Sequence, residues 1–177
     1  MIIAIISGTI AVIALIILVI KIKSDKLNIY KIRIEEAEKE IQILLEKKLS
    51  LLGILQKKLS EESSEVEFNF LCDLNDVDDD EFKLNTILNK AQKELKDFLD
   101  DKRSYIPDDE IKTLLDDLSK VDIECTATKN YYNDNVLLLN NKSKKFLNNI
   151  ISKSKGIYRK ELYNDPVEEE FEILKKK

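Results

Sequence analysis

The sequence predicts an all-α protein: an N-terminal transmembrane helix continuing into a long antiparallel bundle of three long helices, plus a short C-terminal helix. Three observations predict it. Residues 2–20 read IIAIISGTIAVIALIILVI and carry no charge. Apolar residues then recur at three- and four-residue steps through three long stretches. Charged residues make up 36% of the chain and aromatics 7%, with three glycines, a mixture that suits long helices better than sheets.

The opening run sets the first element. Nineteen helical residues span about 28 Å, close to the roughly 30 Å hydrocarbon core of a bilayer. Thirteen of them are Ile, Leu or Val, and each favours insertion by roughly 0.3 to 0.6 kcal/mol. A cleaved signal peptide would carry a basic start and a small-residue exit. Here only the amino terminus precedes the run, and the exit reads Leu18-Val19-Ile20-Lys21. A buried core helix would show a polar face, and this run has none. An uncleaved anchor over residues 1–20 is expected, followed by a cytoplasmic bundle over residues 21–177. Lys21, Lys23, Lys26, Lys31 and Arg33 flank the run on its C-terminal side. Basic residues stay on the cytoplasmic side, so the N-terminus is expected outside and the single-pass chain in the cell membrane. Lys21, Lys23 and Lys26 also fall at headgroup depth, where anionic lipid attracts them. Ala4, Gly8 and Ala11 form a small-residue stripe of the kind that permits close helix pairing in lipid.

The apolar pattern continues past the anchor through Tyr30, Ile34, Ala37, Ile41, Leu44, Leu51, Leu55 and Leu59, with Lys48 filling one gap. No proline interrupts it, so one helix is expected from Ile2 to about Ser60. LLEKKLS and ILQKKLS look like a repeat, but a ten-residue offset turns the second copy to another face. Residues 61–80 form a connector. Its DLNDVDDDE run invites a calcium loop and fails the spacing: from Asp73, the glycine position holds Asp78 and the twelfth holds Leu84. Asp78 to Glu81 fit better as the acidic first turn of a second helix. That helix carries Leu84, Ile87 or Leu88, Ala91, Leu95 and Phe98, and runs to about Arg103. Pro107 suits the first position of a third helix, which runs to about Ser154 with a seam of Ile111, Leu114, Leu118, Val121, Cys125, Tyr132, Val136, Leu139, Phe146 and Ile150. Gly156 is a plausible stop. A short last helix starts at Asp165-Pro166 and ends in three lysines. Three single-seam helices should form an antiparallel bundle, the second and third doubling back along the first.

Composition also bounds function. A net charge of −5 argues against a nucleic-acid surface. The absence of histidine removes the commonest metal ligand and general base. Cys72 and Cys125 lack CxxC spacing and fit free thiols in a reducing compartment. No catalytic constellation, cofactor site or metal site can be assembled from the residues.

One stretch carries more information: KNYYNDNVLLLNNKSKKFLNN, in the third helix. Here the chain resembles the LemA family of bacterial membrane-anchored proteins. Lys129 stands where that family usually has arginine, and Tyr131 and Tyr132 stand for its aromatic pair. Asn133, Val136, Asn140, Phe146 and Asn149 match its pattern, and Gly156 and Tyr163 match weaker positions downstream. Ile111, Leu114, Leu118 and Asp122 fit a second pattern, and Ala37, Ile41, Leu45, Lys47, Lys48, Leu52 and Leu55 a third. Leu147 departs from the pattern, replacing a proline after Phe146, so the third helix is expected to continue where family members kink. The resemblance implies a single-pass anchor and an all-helical bundle without a defined chemistry.

Asn133 and Asn140 lie seven residues apart on one helix face, each one residue past a seam position. Amides at such an edge set register between helices or line a docking groove for a partner. Tyr131, Tyr132 and Tyr158 read as core or interface aromatics. The expected function is non-enzymatic: an anchored bundle presenting a cytoplasmic surface to a protein partner or to the membrane. The alternatives are a subunit of a membrane-associated enzyme or signalling complex, and a coiled-coil scaffold that self-associates through the stalk seam. A stalk seam buried within its own chain would favour the bundle over the scaffold.

Overall fold

A computed structural model describes residues 1–62, 81–101 and 109–163. Four helices are present among them, and no strand: α1 (Ile2–Glu62), α2 (Glu81–Asp101), α3 (Asp109–Ser143) and α4 (Phe146–Ser154). The connector from 63 on, the Pro107 turn and the expected helix after Asp165 lie outside the described residues. Helix α1 is continuous through Lys21 to Asn28, so the apolar run and the stalk are one helix. Residues 6–22 are exposed along it, and its N-terminal stretch is long and apolar enough to cross a membrane. Of the small-residue stripe, Ala4 lies outside the described side chains, and a Cβ at Gly8 would have nothing within 4 Å.

The described chain falls into two compact units. Unit 1 is Met1–Glu38 with Asn130–Lys177, and unit 2 is Lys39–Lys129.

In unit 2 the stalk buries Ile41, Leu44, Leu45, Leu52, Leu55 and Leu59. Leu52, not Leu51, takes the core position, because the straight helix drifts against a strict heptad. Leu88, Ala91 and Leu95 of α2 and Ile111, Leu118, Val121 and Cys125 of α3 complete the core. Polar contacts fix the directions. Lys58 pairs with Glu110, and Lys48 with Asp122, so α3 runs antiparallel to α1. Asn89 shares the Lys48 ammonium with Asp122, while Asn85 accepts from Lys129, so α2 is also antiparallel to α3. Helix α2 therefore runs in the same direction as α1 and does not double back along it. The physical reason is connection length: seven residues separate α2 from α3, a hairpin distance, whereas eighteen separate α1 from α2, enough to return along a helix.

In unit 1, α1 buries Ser24, Leu27, Ile34 and Ala37, α3 buries Tyr132, Asn135, Val136 and Leu139, and α4 with the chain after it buries Asn148, Ile151, Ser152, Ile157 and Tyr163. The expected single helix to Ser154 is interrupted. Helix α3 ends at Ser143, Lys144 and Lys145 turn, and Lys145 is extended at φ −71°, ψ 138°. The Lys142 carbonyl accepts the Lys145 N–H at 3.2 Å and the Asn148 amide at 3.0 Å, and so leaves the helical ladder. Phe146 and Ile150, expected in the core seam, consequently face outward at 78% and 55% exposure. Tyr131 and Tyr158, expected as core or interface aromatics, are exposed too.

The break occurs with a leucine, not a proline, after Phe146. Leu147 sits in the first turn of α4, where an N–H has no partner four residues back within its helix. Leu147→Pro should therefore cost less than about 1 kcal/mol, against about 3 in a helix interior, read as a near-unchanged Tm. A loss of helix signal by circular dichroism would contradict the break.

Helix α4 closes with a paired carbonyl motif. The Ile157 N–H donates to the Ser152 carbonyl at 2.9 Å and the Gly156 N–H to Lys153 at 3.3 Å, with Gly156 at φ 63°. This is the left-handed stop that glycine permits without strain.

Candidate functional site: an amide clasp and a buried polar cluster

In unit 1, residues 157–163 leave α4 as a non-helical strap. Two asparagines of α3 hold it. Asn133 donates its side-chain amide to the Tyr163 carbonyl at 2.9 Å and accepts the Tyr163 N–H at 2.9 Å. Asn140 does the same with Lys160, at 2.9 Å and 3.3 Å. Each side-chain amide thus pairs with a main chain as a neighbouring strand would. The spacing explains the choice of positions. Seven helical residues cover about 10.5 Å, and three residues of extended chain cover about 10 Å.

Between the two clasps, the Tyr132 hydroxyl donates to the Glu161 carbonyl at 3.1 Å. The Tyr132 and Tyr163 rings meet edge to face at 5.1 Å, both buried. Lys160 also pairs with Glu38 of α1. Asn133 and Asn140 therefore act on the chain's own backbone; they do not set register between two helices.

Just past the clasp, in the last turn of α3, Lys142 donates to the Tyr30 hydroxyl at 2.6 Å. That bond to a cation holds the Tyr30 hydroxyl below its ordinary pKa.

The other resemblance residues lie elsewhere. Val136 is core, whereas Phe146 and Asn149 are exposed on α4. Lys129 belongs to unit 2, where it is buried and donates to Asn85 at 3.1 Å.

That pair is part of a polar cluster that sequence reasoning did not assemble. Lys48, 1% exposed, donates to Asp122 at 2.8 Å and to Asn89 at 3.0 Å. The available signal was positional: Lys48, Asn85 and Lys129 each occupy a seam position on a different helix. Polar seam residues that find each other specify which helices pair and in what register. Cys125 lies one turn before Lys129, and burial pushes its thiol up, only partly opposed by the two lysines. A raised pKa makes the thiol a poor nucleophile. In a Cys72→Ser background, Cys125 should react with a maleimide only as fast as unit 2 opens, and at the free-thiol rate in denaturant. Rapid labelling of the native chain would contradict its burial.

Among the described residues, no three His, Cys, Asp or Glu side chains are placed to hold a metal ion. The clasp binds peptide backbone, and the cluster holds helices in register. No family model, no curated protein and no solved structure matches this chain.

Proposed function

We propose that this chain is a membrane-anchored, non-enzymatic helical bundle of the LemA type, single-pass, with its N-terminus outside and the bundle in the cytoplasm. Its role is to present a surface to a protein partner. The observation that carries this reading is the clasp. The side chains behind the family resemblance, Tyr132, Asn133 and Asn140, spend their polar groups on the chain's own strap. They build a scaffold, and the same helix turns Tyr131, Leu137 and Leu138 outward. The exposed apolar run at residues 6–22 supports the anchor, and the lysines after it support the orientation.

Burial of the stalk seam within the chain favours this bundle over a scaffold that pairs through its stalk. Site-specific cross-linkers in native membranes test the reading. One at Leu138 should yield a discrete adduct to a different protein, and one at Val136 should yield none. Adducts to second copies alone would replace the proposal with the self-associating scaffold. A reporter fused after Lys177 that is active only in the exported compartment would overturn the orientation.

A further inference from the structure

Helix α4 is built inside out for a helix in water. It turns Asn148, Ile151 and Ser152 inward and exposes Phe146 (78%), Leu147 (47%) and Ile150 (55%). The three exposed residues share one face, since 146 and 150 are one turn apart and 147 adjoins them. On the inward side, Asn148 Oδ1 is buried without a hydrogen-bond partner among the described residues. Turning the helix over would bring Phe146, Leu147 and Ile150 in and the Asn148 amide out, at the expense of Ile151.

The position of α4 says what meets that face. Its inward residues pack on the end of α3, with Asn148 against the Lys142 carbonyl and Ser152 against the Ser143 hydroxyl. Lys142 in turn bonds to Tyr30, about 15 Å along α1 from Ile20. Burial of α1 by the rest of unit 1 starts at Ser24, about 6 Å past Ile20. The strap, held at Lys160 and Tyr163, enters from beyond the C-terminal end of α3. Helix α4 therefore closes the end of unit 1 that lies next to the apolar run of α1. Lys144, Lys145, Lys153 and Lys155 flank it, all exposed, and Lys21, Lys23 and Lys26 lie on α1 between its apolar run and Tyr30. Apolar side chains outward, cations around them and a membrane span alongside are the attributes of an interfacial helix.

We propose that α4 is a membrane-surface helix, lying in the headgroup region of the bilayer that α1 crosses, with Phe146, Leu147 and Ile150 in lipid and the flanking lysines on anionic headgroups. The proposal rests on the reading that α1 spans that bilayer, and the test separates the two. The chain has no tryptophan, so single tryptophans report cleanly. Full-length Phe146→Trp, Ile150→Trp, Ile13→Trp and Ile123→Trp are reconstituted in phosphatidylcholine–phosphatidylglycerol vesicles, with and without bromines on the acyl chains. The expected result is blue-shifted emission, lost on bromolipid, for Phe146→Trp, Ile150→Trp and Ile13→Trp. Quenching should be strongest with shallow bromines for the α4 probes and with deep bromines for Ile13→Trp. Ile123→Trp, exposed in unit 2, should emit as in water and stay unquenched. Quenching of Ile13→Trp without either α4 probe overturns this inference and leaves the anchor standing. No quenching of Ile13→Trp overturns both. A blue shift at Phe146→Trp that bromolipid does not quench and that grows with protein density means a second copy covers α4, and overturns the proposal. So does quenching at Ile123→Trp equal to that at Phe146→Trp, which means general adsorption.

Discussion

Asp122→Ala should destabilise unit 2 by about 2–3 kcal/mol, whereas Lys48→Met should leave stability within about 1 kcal/mol of the parent or raise it. The asymmetry comes from burial. Lys48 has only 1% of its side chain exposed, and Asp122 has 37%. Removing the carboxylate strands an ammonium in an apolar core with Asn89 as its remaining acceptor among the described residues. Removing the lysine leaves a carboxylate and an amide that both reach water, and the methionine completes the apolar seam between Leu44 and Leu52. The exposure of Asp122 places the first figure below the full cost of an orphaned buried charge, because water screens part of the pair. Denaturant melts of the two variants and of the double variant check this. In the double variant the Asp122→Ala cost should largely vanish, since there is no ammonium left to strand. Equal destabilisation by both single variants would mean that the pair contributes net attraction.

Much of the architecture follows from period alone. Ile34, Ala37, Ile41, Leu44, Leu55 and Leu59 fall at helical steps and are all buried, because a 3.6-residue period puts them on one stripe. The continuity of α1 across Lys21 was legible for the same reason, as no proline or glycine cluster falls at the exit. The direction of α2 was not legible, because a seam fixes which face is inward and says nothing about which way a helix points. Connection lengths hold that information.

The break after Ser143 was hidden differently. Phe146 and Ile150 continue the helical spacing of Leu139, so periodicity extends the seam straight through them. What decides is local competition for the Lys142 carbonyl, which the Lys145 N–H and Asn148 win. The clasp was half legible. Seven-residue spacing places Asn133 and Asn140 on one face, and their amides were expected to bond across an interface. That the partner is an extended strap requires knowing where residues 157–163 return, a long-range fact carried by no local pattern.

Asn133→Ala should release the strap. The Asn133 amide makes two hydrogen bonds to Tyr163, a residue only 4% exposed, so deletion loses both bonds at a buried position. A cost of about 2–3 kcal/mol is expected, equivalent to a fall in Tm of roughly 4–12 °C for a chain of this size. Asn140→Ala, at an exposed clasp, should cost only about 1 kcal/mol. Asn133→Asp separates the pairing from simple bulk. A carboxylate keeps the acceptor for the Tyr163 N–H but points a second negative oxygen at the Tyr163 carbonyl, so it should destabilise at least as much as alanine at neutral pH. Lowering the pH below the carboxylate range should return part of the loss, because the protonated acid can donate to that carbonyl. Amide exchange at Lys160 and Tyr163 gives the local readout: both amides are protected in the parent, both exchange rapidly in Asn133→Ala, and the unit 2 core around Leu52 and Leu88 keeps its protection. Parental exchange and Tm in Asn133→Ala would overturn the clasp, and together with loss of a cross-linked partner would assign Asn133 to a docking groove instead.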